Sequence, residues 1–137
     1  MGRLYQDYEF IVDAVAGLRL KRLIAVSDAD SDSSHPFIFY AKFFGATGWH
    51  RFFLDISAAF WDRATDDDVA EDFQDDSYKC ESILEDRSGA VVTSAVAYVP
   101  DGEECAGIDI VFDDGRSFII RCIHDGDDHY TEAKWNG

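Results

Sequence analysis

The chain reads as an α+β domain: an N-terminal helix and a short acidic helix packed on a mainly antiparallel, meander-like sheet of about five to six strands. Three observations point there. Apolar residues Leu4, Tyr8, Ile11, Val12 and Val15 recur at spacings of three and four near the start, the period of one helix face. Aromatic and β-branched runs bounded by Gly, Pro and Asp turns fill the rest, which is the signature of short strands. Finally, 137 residues with 47% apolar and 15% aromatic content are enough for one hydrophobic core, and so for a single domain over residues 1–137.

In chain order, the N-terminal helix ends at Gly17, a residue suited to helix stops. Leu18 to Val26 follows as a strand and carries the densest basic cluster, Arg19, Lys21 and Arg22. After a polar loop, Asp28 to His35, the runs Phe37 to Phe44 and Trp49 to Ile56 read as a hairpin turned at Gly45 to Gly48. Ten aromatic rings crowd Phe37 to Trp61. They occupy both parities of the strands, so a second element or a partner must cover the second face. Thr65 before Asp66, Asp67 and Asp68 looks like a helix start, a hydroxyl cap with carboxylates in the first turn. Val69 and Phe73 would then face the core one turn apart.

The C-terminal third is the most legible. Val91 to Val99, Gly107 to Phe112 and Arg116 to His124 read as strands, with turns at Pro100-Asp101-Gly102 and Asp113-Asp114-Gly115. A three-residue turn with Gly115 left-handed sets Ile110 opposite Phe118 and Ile108 opposite Ile120, one apolar face throughout. A two-residue turn would instead set Ile108 against Arg121. His129 to Trp135 can add a short edge strand, and the run Tyr78 to Leu84 around Cys80 is compatible with a strand. The preferred register puts Cys105 and Cys122 on opposite faces, against a disulfide between them.

Charge narrows the function classes. Asp and Glu total 28 against 12 Lys and Arg, a formal net charge of −16. Such a surface repels phosphates and anionic membranes and attracts basic protein faces, so direct nucleic-acid binding is disfavoured. No run of 18 apolar residues and no charged segment followed by an apolar core is present, which argues against a membrane span and a secretory signal. Three cysteines make no disulfide framework, and a cytoplasmic setting is expected.

Catalytic motifs are wanting: there is no Gly-x-Ser-x-Gly elbow, Cys-x-x-Cys pair, phosphate loop or dinucleotide fingerprint. No enzyme activity and no cofactor are expected. Asp28, Asp30 and Asp32 open like a calcium loop, but Ser33 and Phe39 stand where Gly and Glu are required. His124, Asp125, Asp127, Asp128 and His129 form the densest set of metal-ligand types, though a strand end running into an Asp/Gly turn gives the same letters. They remain the residues of a third reading, a small metal- or ligand-binding protein.

The stretches Phe52-Phe53-Leu54-Asp55, Phe60-Trp61-Asp62 and Ile108 through Arg116 resemble small acidic bacterial domains of unknown function of the kind associated with polymorphic-toxin immunity proteins. The resemblance covers about half the chain and carries over no functional residue. It implies a cytoplasmic protein that binds and neutralises another protein. The residues themselves point the same way, since eight of the fifteen from Asp62 to Asp76 are acidic. The expected function is an inhibitor of a basic partner such as a nuclease toxin. Asp66, Asp67, Asp68, Glu71, Asp72, Asp75 and Asp76 would supply charge, with Trp61 and Phe73 as apolar anchors. The alternative is a phage inhibitor that mimics nucleic acid toward a host defence nucleoprotein complex. A monomer and a homodimer both fit.

Overall fold

A computed structural model describes residues 5–7, 9–29, 36–55, 58–84, 89–102, 105–125 and 128–136, with backbone alone at 5–7, 55, 124–125 and 128–129. The described residues build two antiparallel sheets and one short helix. The first sheet contains β1 (Tyr5–Asp7), β3 (Leu20–Asp28), β4 (Ile38–Phe43), β5 (Trp49–Asp55), β6 (Ala58–Ala64) and β7 (Tyr78–Ser82), in the order β1-β6-β5-β4-β3-β7. The second contains β2 (Phe10–Ile11), β8 (Val92–Tyr98), β9 (Gly107–Phe112), β10 (Ser117–Asp125) and β11 (Asp128–Asn136), in the order β11-β10-β9-β8-β2. The helix α1 spans Asp66–Gln74.

This is a β-sandwich with a helix on one outside, and it corrects the α+β expectation at two points. The N-terminal helix does not form: the segment is two short strands and a 3-10 turn at Asp13–Val15. Val12 and Val15 are buried as that pattern requires, yet Ile11, which the helix would also bury, is 67% exposed. Spacings of three and four arise here from a strand running into a tight turn, and β-branched Ile11, Val12 and Val15 favour extended backbone. Leu4 and Tyr8 lie outside the described residues. The second correction is that one meander sheet becomes two facing sheets, with β1, β2 and β6 added to the strands read from sequence.

The main core lies between the sheets. Leu20, Leu23, Phe39, Phe43 and Phe52 from the first meet Ile108, Ile110, Phe112, Phe118 and Ile120 from the second, with Phe39 and Phe118 edge to face at 5.6 Å. At one corner the sheets are tied by backbone bonds. Leu20 N–H donates to Ala90 O (2.8 Å), Gly17 N–H to Val92 O (2.7 Å) and Val92 N–H to Leu18 O (2.9 Å). Gly17 adopts φ +83° there, so it shapes a corner turn where a helix stop was expected.

The C-terminal register agrees with the sequence reading: Ile110 pairs with Phe118 and Ile108 with Ile120. Gly115 turns at φ +85° with Phe112 N–H donating to Arg116 O at 2.9 Å. The edge strand β11 is nine residues long. Its Trp135 reaches across to the first sheet, donating from Nε1 to Ile83 O at 2.7 Å.

Candidate functional site

The site is built on the outer face of the first sheet, where strand alternation sends Ile24, Val26, Tyr40 and Trp49 away from the inter-sheet core. These form a second cluster that α1 covers, contributing Val69 as its one buried residue. The two-sided aromatic pattern thus has a simple origin. Phe39 and Phe43 face the second sheet, whereas Tyr40 and Trp49 face the helix.

Local sequence starts α1 as expected. Thr65 Oγ1 accepts from Asp68 N–H (3.1 Å) and Asp68 Oδ2 accepts from Thr65 N–H (2.9 Å), a reciprocal capping box. Those bonds to Thr65 hold the Asp68 carboxyl below the usual carboxylate range. Polar contacts then fix the helix to the sheet. Tyr40 Oη donates to Asp72 Oδ2 at 2.5 Å, and burial, with that carboxylate beside it, pushes the Tyr40 phenol well up. Asp66 Oδ1 accepts from Lys42 Nζ (3.0 Å) and Trp49 Nε1 (2.8 Å), which lower its own pKa. Arg22 and Lys42 flank the Trp49 ring at 5.3 and 5.4 Å. Cys80 Sγ, its thiol pushed up by burial, donates to Asp72 O at 3.7 Å.

Beside α1 opens a cleft of about 1230 Å³. Its floor carries Tyr40, Tyr78 and a two-pronged ion pair, in which Arg51 donates from Nε to Asp62 Oδ1 at 2.7 Å and from Nη2 to Oδ2. Asp62, Asp66, Asp68, Glu71 and Asp72 line it against Arg51 and Arg63, so carboxylates prevail. Gly48 closes one side at φ +74°, and a Cβ there would stand 2.9 Å from Ala64 O. Neither the left-handed backbone nor the close approach admits a larger residue.

The sequence-derived candidates separate into two groups here. Asp66, Asp67, Asp68, Glu71, Asp75 and Asp76 are all exposed on or beside α1. Phe73 is 47% exposed among them rather than turned to the core with Val69. Asp72 is half-buried and held by Tyr40, so its charge is spent inside the scaffold. Trp61 sits on the inward parity of β6: it stacks on His50 (centroids 5.8 Å, 12° between planes) and donates from Nε1 to His50 Nδ1 at 3.1 Å. It therefore serves the core and cannot anchor a partner at α1.

His50 was missed from sequence. It is 2% exposed, packed edge-on against Phe43 at 5.6 Å, and burial, aided by the charge of Arg63, pushes its imidazole down to about 4. Its strand parity with Phe52 was the available signal.

Of the metal candidates, His124 pairs with His129 and Asp125 with Asp128 in the β10–β11 register. Their side chains, and Asp127 entirely, lie outside the described residues. So do Asp30 and Asp32 of the calcium-like run. Among the described residues no group of three or more His, Cys, Asp or Glu is placed to hold a metal, no disulfide joins the cysteines, and no helix is long and apolar enough to cross a membrane. Comparison with family models, curated proteins and solved structures finds no match for this chain.

Proposed function

We propose that this protein is an acidic protein-binding inhibitor that docks on a basic partner, such as a nuclease, through α1. One observation carries the reading. The first-turn carboxylates have a structural reason to exist, since they complement the positive end of the helix and cap it. Asp75 closes the turn after the helix, its Oδ1 accepting from Ser77 N–H at 2.9 Å, but Glu71 and Asp76 have none. They crowd the negative end of α1, whose last turn holds no basic residue, and among the described residues no Lys or Arg pairs with them. Folding alone would select against that arrangement, whereas a basic partner would compensate it.

The scaffold supports this use. The ridge is pinned by the capping box, by Trp49 on Asp66 and by Tyr40 on Asp72, so little ordering cost remains at binding. Phe73 offers an apolar contact inside the charged rim, the arrangement of an interface hot spot. The neighbouring cleft, with carboxylates in excess, gives a partner's Arg or Lys side chain a place to enter.

The test is capture from lysate of the source organism at low and high salt, comparing the natural chain with Asp67→Lys/Glu71→Lys/Asp75→Lys. The expected result is a basic protein retained at low salt by the natural chain, released at high salt and lost with the triple variant. A partner retained equally by the variant would contradict the reading.

A further inference from the structure

We propose that β11 is the edge through which two copies of this chain associate, pairing antiparallel about a two-fold axis at Ala133. Edge length is the first observation. β1, β2 and β7 close their sheets with three, two and five residues, whereas β11 closes the second sheet with nine. Among the described strands β10 is its sole sheet neighbour. Proteins usually blunt such an edge with Pro, a bulge or a short run. From Asp128 to Asn136 there is no Pro or Gly, and the register with β10 runs through nine consecutive pairs without a shift. An unbroken edge of this length is a template for an added strand, because the outward N–H and C=O groups of an edge bond to a strand laid alongside.

Side chains choose the occupant and the register. Glu132 and Lys134 project from one face of β11, two residues apart, and both are exposed. Neither has an ion-pair partner among the described residues. Arg121, opposite Glu132 in the ladder, is taken by Asp109 at 2.7 Å. A strand with a negative and then a positive charge on one face is its own complement when reversed. Centred on Ala133, an antiparallel copy sets Glu132 opposite Lys134 and Lys134 opposite Glu132, two cross-strand pairs of opposite sign. Centred on Glu132, it would set that carboxylate against itself. Centred on Thr131, it would match Lys134 with Asp128 but leave Glu132 opposite Tyr130, without a cation. The Ala133 register pairs residues 130–136, so Asp125 and Asp128 at the hairpin end lie beyond it. A foreign strand would need this charge spacing in reverse, and a second copy has it by symmetry.

The contact joins two five-stranded sheets into one. On its inner side Thr131 of each copy faces Trp135 of the other, so the apolar parity of β11 continues across the axis. The net charge of −16 opposes association in any orientation, and the dimer is therefore weak and concentration-dependent. Because α1 packs on the outside of the first sheet, this contact does not use its carboxylates. The inference stands apart from docking at α1, and either can fail alone.

Sedimentation velocity from low to high micromolar chain tests this on the natural protein, Glu132→Lys, Lys134→Glu, the double variant Glu132→Lys/Lys134→Glu and an equal mixture of the two single variants. The natural chain is expected to move toward twice the monomer mass as concentration rises. Each single variant sets like charges opposite each other and should weaken association about tenfold or more. Glu132→Lys should do so although it lowers the net negative charge, the reverse of what overall repulsion predicts. The mixture and the double variant restore opposite charges at both positions and should regain the natural affinity to within about threefold. Both positions are exposed, so circular dichroism should not change. A monomer at every concentration would overturn the proposal and leave the edge to a strand of another protein. A Glu132→Lys dimer as tight as the natural one, or a mixture no tighter than its components, would overturn it as well.

Discussion

On the outside of the first sheet, Tyr40 and Trp49 lie beneath α1, and the helix adds a ridge of exposed carboxylates above them. On the outside of the second sheet, Val96, Val111 and Ile119 are half-buried, and Asp109 is held by Arg121 at 2.7 Å. Both sheets share one core and similar strand chemistry, so packing alone does not account for the difference. The first face has been made rigid and acidic, at a cost to helix stability near Asp75. The second carries the Asp109–Arg121 ion pair beside half-buried apolar side chains. The contrast fits the use proposed above for the first face, salt-sensitive docking at α1.

The largest effect comes from the core that both faces share. Unfolded, His50 takes a proton near 6.5; folded, only near 4, because burial disfavours the charged imidazolium and the Arg63 charge repels it. The stability contributed by neutral His50 is therefore complete above about pH 6.5. It is lost as pH falls from there to about 4, a loss of about 3 kcal/mol. Urea unfolding of the natural chain and His50→Gln at neutral pH and at pH 4 should show the natural chain losing that much more. Parallel pH profiles would contradict the burial account.

A second prediction breaks the first face alone. Tyr40→Phe leaves the half-buried Asp72 carboxylate without its phenol donor and should cost about 2 kcal/mol. Amide exchange should accelerate across 66–74 while β9 and β10 stay protected. A change spread evenly over both sheets would mean that α1 is not a separately fastened layer. The smallest of the three is Thr65→Ala, which removes half of the capping box and should cost about 1 kcal/mol, recovered by Thr65→Ser.

Much of this organisation could be read from sequence wherever local chemistry is self-sufficient. Thr65 and Asp68 announce their cap because both partners lie within one turn. Gly115 sets the β9–β10 register because only one turn length keeps Ile108 and Ile110 on the face of Phe118 and Ile120. The N-terminal segment misled because Val12 and Val15 satisfy helical spacing, and only distant pairing, Phe10 with Ala97 and Ile11 with Val96, decides for strands. The division of the strands into two facing sheets was invisible for the same reason: alternation shows that a face is buried and says nothing of what buries it. The carboxylate ridge was legible as composition. The withdrawal of Asp72 and Trp61 from it was not, since it depends on Tyr40 and His50, remote in sequence.

The most direct measurement is the association rate of the captured basic partner with the natural chain and with Asp67→Lys/Glu71→Lys/Asp75→Lys across a salt series. The account predicts a rate that falls steeply with salt for the natural chain. At low salt the triple variant should be slower by about tenfold or more, with a nearly flat salt dependence. Equal rates and equal slopes for the two proteins would show that α1 is not the docking surface.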